Sequence, residues 1–548
     1  MNKADIVALA VLFIVAFSLW TIPIQSDPRP FGEGDAAWHF SIGDYIASSD
    51  KPIWRLPYYV GMWYYGYNSI LGPFAPEYPP SNHYNYALTQ VIGGERFVPV
   101  LMYRAIASFL GIFAVYFVIT KLYGTAAAMI ASSALVFSLR EQMIYLWGQQ
   151  PTLVAVVIAP VTFYAFYRYL DSYYKGETKT VYLYITALLL GSQYLLHIQG
   201  FTLSSLVIGV FTVLMFLKHR KLPFIRDSKK HVVAASLIFL AIAVPFFLIY
   251  LGAPDLGASE PDYSRVFKWG VDPVLLSQSY PSSYTTFSGE YKNPMLMLPF
   301  LFLGILFALL RRTNKDLLML GWLGGVYLVL HVDLYLGVSQ ERSARLLTAE
   351  PALFYSLMGI GMISLLSFAL SHVKIRSSAK SIAKFALAAV VVLVIFQGNM
   401  ETSKSALSSS YQSIFRITPV QSEFADWLYE NVAENAYLYY MPGSDPYKIG
   451  NWQYPKMRWI LASSQRHLAS YGGRITDNPD TANSSFYFVF DYSDLAAITN
   501  SAPNQMQPAA RQSALALQQF EESAFNVSDA LFNKNSIRVY EVEAEDFK

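Results

Sequence analysis

The chain has no cysteine among its 548 residues. That excludes disulfide staples, thiolate metal sites and cysteine nucleophiles. Charge is scarce too: 14% of residues are Asp, Glu, Lys or Arg, where a soluble domain carries about 25%. The net charge of +2 hides an uneven distribution and by itself says nothing about partners; nucleic acid is not among the expected ones. No HExxH, Walker or GxSxG pattern occurs, and the zinc-protease, nucleotide-phosphate and serine-hydrolase chemistries lack their marks. There is no internal repeat and no low-complexity segment.

What the chain has in excess is apolar surface. Hydrophobic residues make up 54% and mean hydropathy is +0.31. A span needs about 20 mostly apolar residues. Such runs fall at 4–24, 97–120, 125–139, 143–167, 181–196, 201–217, 232–251, 295–310, 317–336, 352–370 and 382–398, about eleven spans by the usual hydropathy reasoning. The first is long enough to cross, and "TIPIQSDP" after it offers no small-residue cleavage site, so it reads as a retained span and not a signal peptide.

Basic loops set the orientation. With the N-terminus inside, "KHRKLPFIRDSKKH", "RRTNK" and "HVKIRSSAKS" all lie inside. The long loops 25–96 and 252–294 lie outside, and so does the segment 399–548. Sequons at Asn483 and Asn526 agree with that side. The expected fold class is therefore mostly α. A polytopic membrane domain, 1–398, precedes an extracellular α/β domain, 399–548. In the latter, Phe424, Trp427, Leu428 and Val432 have helical spacing. "AYLYYM", "SFYFVFDY" and "SIRVYEVE" read as strands.

The first polar stretch after the first span is "FGEGDAAWHF", 31–40. A helix beginning at Asp35 puts Asp35 and His39 on one stripe with Ile42 and Ile46, and Asp44 on the opposite, solvent-like face. A carboxylate and an imidazole on a face that should be buried are costly unless paired or used. The structural alternative is that Asp35 is the N-cap of its helix and His39 a satisfied interfacial histidine. Glu33 reads as a loop acid, unless Gly32 and Gly34 let a substrate approach it. "WRLPYYVGMWYYGYNSILGPF", 54–74, suits sugar stacking but equally a membrane-interface belt. In "SQERSARLLTAEP", Arg342 and Arg345 share a helix face at the depth of a lipid phosphate, or pair with Glu341 and headgroups. Weaker candidates on the same side are Arg140 with Glu141, His331 with Asp333, Tyr194 with His197 and Gln199, and Glu260 with Asp262. Each reads more readily as structural.

The layout resembles the GT-C superfamily of integral-membrane glycosyltransferases. "GDAAWHFSIGDYIASSDKPIW" is similar to the first-loop "D-x-x-x-H" segment of the oligosaccharyltransferase catalytic subunit and its archaeal relatives. "VPVLMYRAIASFLGIFAVYFVITKLYG" looks like their second span, and "SLREQMIYLWGQQP" stands where they carry another acidic motif. "RSARLLTAEPALFYSLMGIG" is similar to their arginine-led late span. The "WWDYG" signature is missing, and the second acidic motif is reduced to Glu141. A single sugar moved from a polyprenyl-phosphate donor therefore fits better than asparagine-linked transfer.

The resemblance implies that Asp35 is the catalytic acid of the first loop, with His39 beside it and Glu33 as second choice. It implies Glu141 as the second-loop acid and Arg345, with Arg342, as the phosphate-binding group. The implied reaction is an inverting transfer from a polyprenyl-phosphate sugar co-substrate to a glycan, lipid or protein acceptor, in contact with membrane lipids and at the outer face of the cell membrane. A divalent cation, Mg or Mn, is compatible with it. The alternatives are a transporter or flippase for a lipid-linked substrate and a non-enzymatic membrane protein with an extracellular binding domain.

Overall fold

The computed structural model describes residues 3–32, 34–48, 81–222, 228–251, 294–331, 348–374, 376–408, 416–433, 436–442, 453–468, 485–493, 507–534 and 536–542. Long apolar helices dominate. The chain opens with α1 (Lys3–Trp20), a short α2 (Ile22–Ser26), α3 (Gly34–Ser48) and α4 (Ser81–Gly93). Then come α5 (Val98–Tyr123), α6 (Thr125–Val136), α7 (Leu139–Trp147), α8 (Gln150–Tyr174), α9 (Val181–Leu196) and α10 (Ile198–His219). After α11 (Lys229–Leu251), α12 (Pro294–Arg311), α13 (Asn314–Leu330), α14 (Ala349–Ser371) and α15 (Ser377–Ser408) complete the membrane part. Among the described residues, six of these helices are long and apolar enough to cross a bilayer: α1, α5, α8, α10, α14 and α15. α6, α9 and residues 299–311 are shorter apolar helices. The protein is a polytopic helical membrane protein.

Two departures from the hydropathy reading matter for the site. The run 143–167 is not one helix. It breaks at Gly148, whose φ of +89° stops α7, and Pro151 opens α8 at a position where a missing N–H costs nothing. Hydropathy averages over such a break because apolar residues flank it on both sides. α15 also runs on past Gly398, with Asn399, Ser403 and Leu407 buried. Its 32 residues span about 48 Å, more than the roughly 30 Å of a hydrocarbon core. The surplus reaches α7, where Gln142 Nε2 donates to Ser403 Oγ at 3.2 Å.

The chain then builds α16 (Pro419–Asn431), β1 (Tyr437–Pro442), α17 (Gln453–Ser464), β2 (His467–Leu468), β3 (Phe486–Asp491), α18 (Gln507–Ala524), β4 (Phe532–Lys534) and β5 (Ile537–Val542). α16 starts on a capping box between Thr418 and Gln421. The sheet order is β2-β1-β3-β5-β4. β2, β1 and β3 are parallel, and β5 runs antiparallel to both its neighbours, with Phe488 opposite Tyr540. One face of the sheet packs Leu438, Val489 and Val539 against Phe424, Leu428, Trp459 and Ile460. The other packs Phe488, Phe490 and Tyr540 against Leu517 and Phe525.

The first core does not end at the sheet. It continues without interruption into α3 through Ala36, Ala37, Trp38, Phe40 and Tyr45. Phe40 stacks on Phe97 at 5.0 Å and lies 5.4 Å from Trp459, centroid to centroid.

Candidate active site

The stretch that leads into α3 is held from three sides. Phe31 forms an isolated antiparallel bridge with Arg416. The Arg416 guanidinium lies 4.8 Å from the Phe31 ring centroid and donates to the carbonyls of Pro23, Asp27 and Arg29. From α5, the buried Arg104 donates through Nη1 to the Phe31 carbonyl at 2.9 Å and through Nη2 to the Tyr145 carbonyl at 3.0 Å. From α17, Trp459 Nε1 donates to the Gly32 carbonyl at 3.1 Å. Gly32 has φ of +127°, and a Cβ there would sit 2.5 Å from Ala36 Cβ. Only glycine fits this turn. One arginine thus ties the approach to α3 to the last turn of α7.

α3 begins at Gly34, so Asp35 is the second residue inside the helix and not the residue before it. Its carboxylate is half-buried at the end of the helix where the dipole favours negative charge. One turn on, His39 is buried and its Nδ1 lies 2.9 Å from Nε2 of His83 on α4. Trp38 packs on both rings, 4.8 Å from His39 and 6.2 Å from His83. Burial, then the neighbouring His39, push the proton affinity of His83 well below the usual histidine range.

Asp44 does not face solvent. It is 2% exposed and accepts from Arg96 Nη2 at 2.7 Å, Gln465 Nε2 at 2.7 Å and Gln90 Nε2 at 3.2 Å. The helical wheel assumed one open face, but α3 lies between α4 and α17 and has none.

On α7, Ser138 caps the helix by accepting from the Glu141 N–H. Glu141 is buried. Its neighbour Arg140 forms a buried ion pair with Glu350, in the first turn of α14. The far end of α7 touches α3: a Cβ on Gly148 would lie 2.2 Å from Ala36 Cβ and 3.0 Å from Arg104 Nη2. α7 therefore bridges the beginnings of α3 and α14.

Glu33, Arg342 and Arg345 lie outside the described residues, as do Asp333, Glu260, Asp262 and the aromatic run 54–74. Arg345 precedes the described Thr348 by three residues in sequence. The weaker candidates have local structural partners. His331 Nδ1 lies 2.8 Å from the Tyr327 carbonyl. His197 Nδ1 accepts from the Gln199 N–H at 3.2 Å and caps α10. Tyr194 is buried, with its ring 5.6 Å from Phe201.

Three residues of this region were missed in the sequence. His83 sits in a polar helix and Glu350 reads as an ordinary first-turn acid, so neither carries a signal that singles it out. Arg104 was the findable one, because a charge inside an apolar span is a functional or structural marker. Among the described residues, no group of three or more His, Asp or Glu side chains comes together as a metal ligand set.

No family model matches the chain, and no curated protein matches it by sequence. Solved structures do resemble it. ArnT from Cupriavidus metallidurans bound to undecaprenyl phosphate aligns with TM-score 0.57 at 12% identity, covering 98% of each chain. The Archaeoglobus fulgidus oligosaccharyltransferase in the apo form aligns with TM-score 0.57 at 14% identity, over 93% of this chain and 72% of that one. Archaeal AglB from the same organism, in complex with an inhibitory peptide and a dolichol-phosphate, aligns with TM-score 0.55 at 14% identity, over 92% and 72%. Identity this low speaks for the fold alone, and the fold is the one these solved structures share.

Proposed function

We propose that the protein is a membrane glycosyltransferase that moves one sugar from a polyprenyl-phosphate donor to an acceptor at the outer face of the cell membrane, with the sheet domain also outside. The observation that carries this reading is the bridging role of α7. It touches the Asp35 end of α3 through Gly148 and the start of α14 through Arg140 and Glu350. Three chain segments far apart in sequence are thus linked through α7, and the resemblance expects an acid in the first, a second acid in α7 and a phosphate-binding arginine ahead of α14. Two of the similar structures hold undecaprenyl phosphate and dolichol-phosphate, which supports a lipid-phosphate donor here.

In this reading Asp35 accepts the proton of the acceptor hydroxyl as its oxygen attacks the anomeric carbon. The bond from that carbon to the phosphate oxygen breaks, and its electrons leave with the polyprenyl phosphate. One displacement inverts the anomeric centre. Arg345 and Arg342 stabilise the negative charge that grows on the phosphate. The resemblance adds His39 beside Asp35 and Glu141 as the second-loop acid, with Glu33 the second choice for the base. The acceptor is a glycan, lipid or protein. The donor arrives by lateral diffusion, which agrees with the absence of a nucleotide motif.

The test is sugar transfer from defined polyprenyl-phosphate sugars, with the protein in lipid nanodiscs. Transfer by the wild type and its loss in Asp35→Asn and Arg345→Ala support the reading. Undiminished transfer by Asp35→Asn removes the role of Asp35. Donor movement across vesicles without transfer favours a flippase, and neither activity favours a binding protein.

A further inference from the structure

α4 is amphipathic in an inverted sense. Its polar residues Asn82, His83 and Gln90 are buried, while Tyr84, Leu88, Val91 and Ile92 are between 49% and 76% exposed. At about 100° per residue these four form one stripe, and the helix carries no charged residue. The buried side is committed to α3. His83 Nε2 lies 2.9 Å from His39 Nδ1, Gln90 Nε2 donates to Asp44 Oδ1 at 3.2 Å, and a Cβ on Gly43 would sit 2.5 Å from Tyr86 Cβ. A helix that faces water has the opposite arrangement, apolar side in and polar side out.

Both ends of α4 are fixed to the ends of apolar helices. Ser81 Oγ donates to the Leu195 carbonyl, in the last turn of α9, at 2.6 Å. At the other end, a Cβ on Gly93 would lie 2.3 Å from Cγ of Pro99, in the first turn of α5. α5 is long and apolar enough to span, and α9 is a shorter apolar helix. Both also expose apolar side chains, Leu110 on α5 and Leu188 on α9 among them. The 13 residues of α4 bridge about 20 Å between these two ends, so α4 lies where both helices reach the membrane surface. A second copy of the chain is a poor cover for a four-residue stripe, because a stable interface takes about 20–30 residues a side.

We propose that α4 is an interfacial helix whose partner is the bilayer itself. The stripe of Tyr84, Leu88, Val91 and Ile92 is immersed at the boundary between headgroups and acyl chains, the depth that suits an apolar helix face and an aromatic ring with a polar tip. Its polar side carries α3, about one helix thickness, 10 Å, from the lipid. On the function proposed above, this keeps the first-loop acid near the depth at which a lipid-linked phosphate presents its sugar. That consequence rests on the proposed function; the immersion of α4 does not.

The absence of cysteine makes spin labelling at single introduced cysteines direct. Leu88→Cys and Ile92→Cys of the full-length protein are labelled in lipid nanodiscs. Leu110→Cys is the lipid reference, and Glu522→Cys, exposed on α18, is the water reference. Power-saturation EPR compares collisions with oxygen, which concentrates in the bilayer, and with a water-soluble nickel chelate. The expected result is oxygen above nickel at Leu88 and Ile92, as at Leu110. Nickel above oxygen, as at Glu522, puts the stripe in water and overturns the proposal. Few collisions with either means that protein covers the stripe, a loop or a second copy, and overturns it equally. Tyr84→Cys and Val91→Cys read the same stripe if either variant fails to fold. No readout needs turnover, so a failed transfer assay counts against the proposed function and not against the immersion of α4.

Discussion

Arg140 and Glu350 are 210 residues apart in sequence and form an ion pair with both side chains 4% exposed. The pair holds the first turn of α14 against α7. Removing one partner of a buried pair leaves a desolvated charge, which costs about 3–5 kcal/mol, whereas replacing both with apolar groups of similar volume is often neutral. Glu350→Gln should therefore melt well below the wild type, and Arg140→Met/Glu350→Leu should recover most of the loss. Thermal melts of the purified protein check this. Equal melting of wild type and Glu350→Gln would show that the pair does not hold the two helices together.

The contact between α7 and α3 depends on the absence of a side chain. Gly148→Ala forces an L residue to φ of +89° and drives a methyl to 2.2 Å from Ala36 Cβ. The backbone term is about 1–2 kcal/mol, and overpacking adds about 1–3 kcal/mol. Gly176 is the control: its φ is +81°, with nothing within 4 Å of an added Cβ. Gly176→Ala should suffer only the backbone term, so Gly148→Ala should melt lower than Gly176→Ala.

Asp35→Asn separates chemistry from stability. Loss of a general base costs about 10²–10⁴-fold in rate. The carboxylate is half-buried in a first helical turn, where its favourable dipole interaction is about 0.3–1 kcal/mol. Initial rates should collapse while the melt moves little. A large melting shift with a proportionate loss of rate would instead make Asp35 a structural residue.

Acid stability should report on Asp27. Burial pushes its carboxyl up, but hydrogen bonds from the Arg29 side chain and backbone, and the charges of Arg416 and Arg29, outweigh burial and hold it below the usual carboxylate value. A lowered folded value means that this stability is fully present above the unfolded value, about 3.9. It is lost as pH falls through the lower folded value. Asp27→Asn should be less stable than the wild type at neutral pH, and the difference should shrink in strong acid. Denaturant unfolding across that range measures it, and a difference constant with pH would assign the effect elsewhere.

The membrane architecture was legible because about 20-residue apolar runs have few alternatives in a bilayer. The burial of His39 was legible because it sits on a stripe that periodicity marks as buried. The misplacement of Asp44 shows where that reasoning stops. Its partners Arg96 and Gln465 lie 52 and 421 residues away, and no local pattern foretells that a distant domain will cover the polar face of a helix. His83 stayed hidden for the same reason. Its meaning comes from a partner 44 residues upstream and not from its own helix. The end of α7 was missed because a single glycine in an apolar run leaves the average hydropathy almost unchanged.

The bond from Trp459 to Gly32 spans 427 residues of sequence, and the apolar side of α3 shares its core with the sheet domain. This has a consequence for biosynthesis. At about 5–20 residues per second, roughly 20–85 s separate the synthesis of α3 from that of the helix that completes its packing. During that interval the growing chain carries an exposed apolar helix on a loop of its own. The packing of α3 is thus completed last, after every span has been made, and a nascent chain stalled before α17 holds Asp35 without the helix that fixes the turn ahead of it.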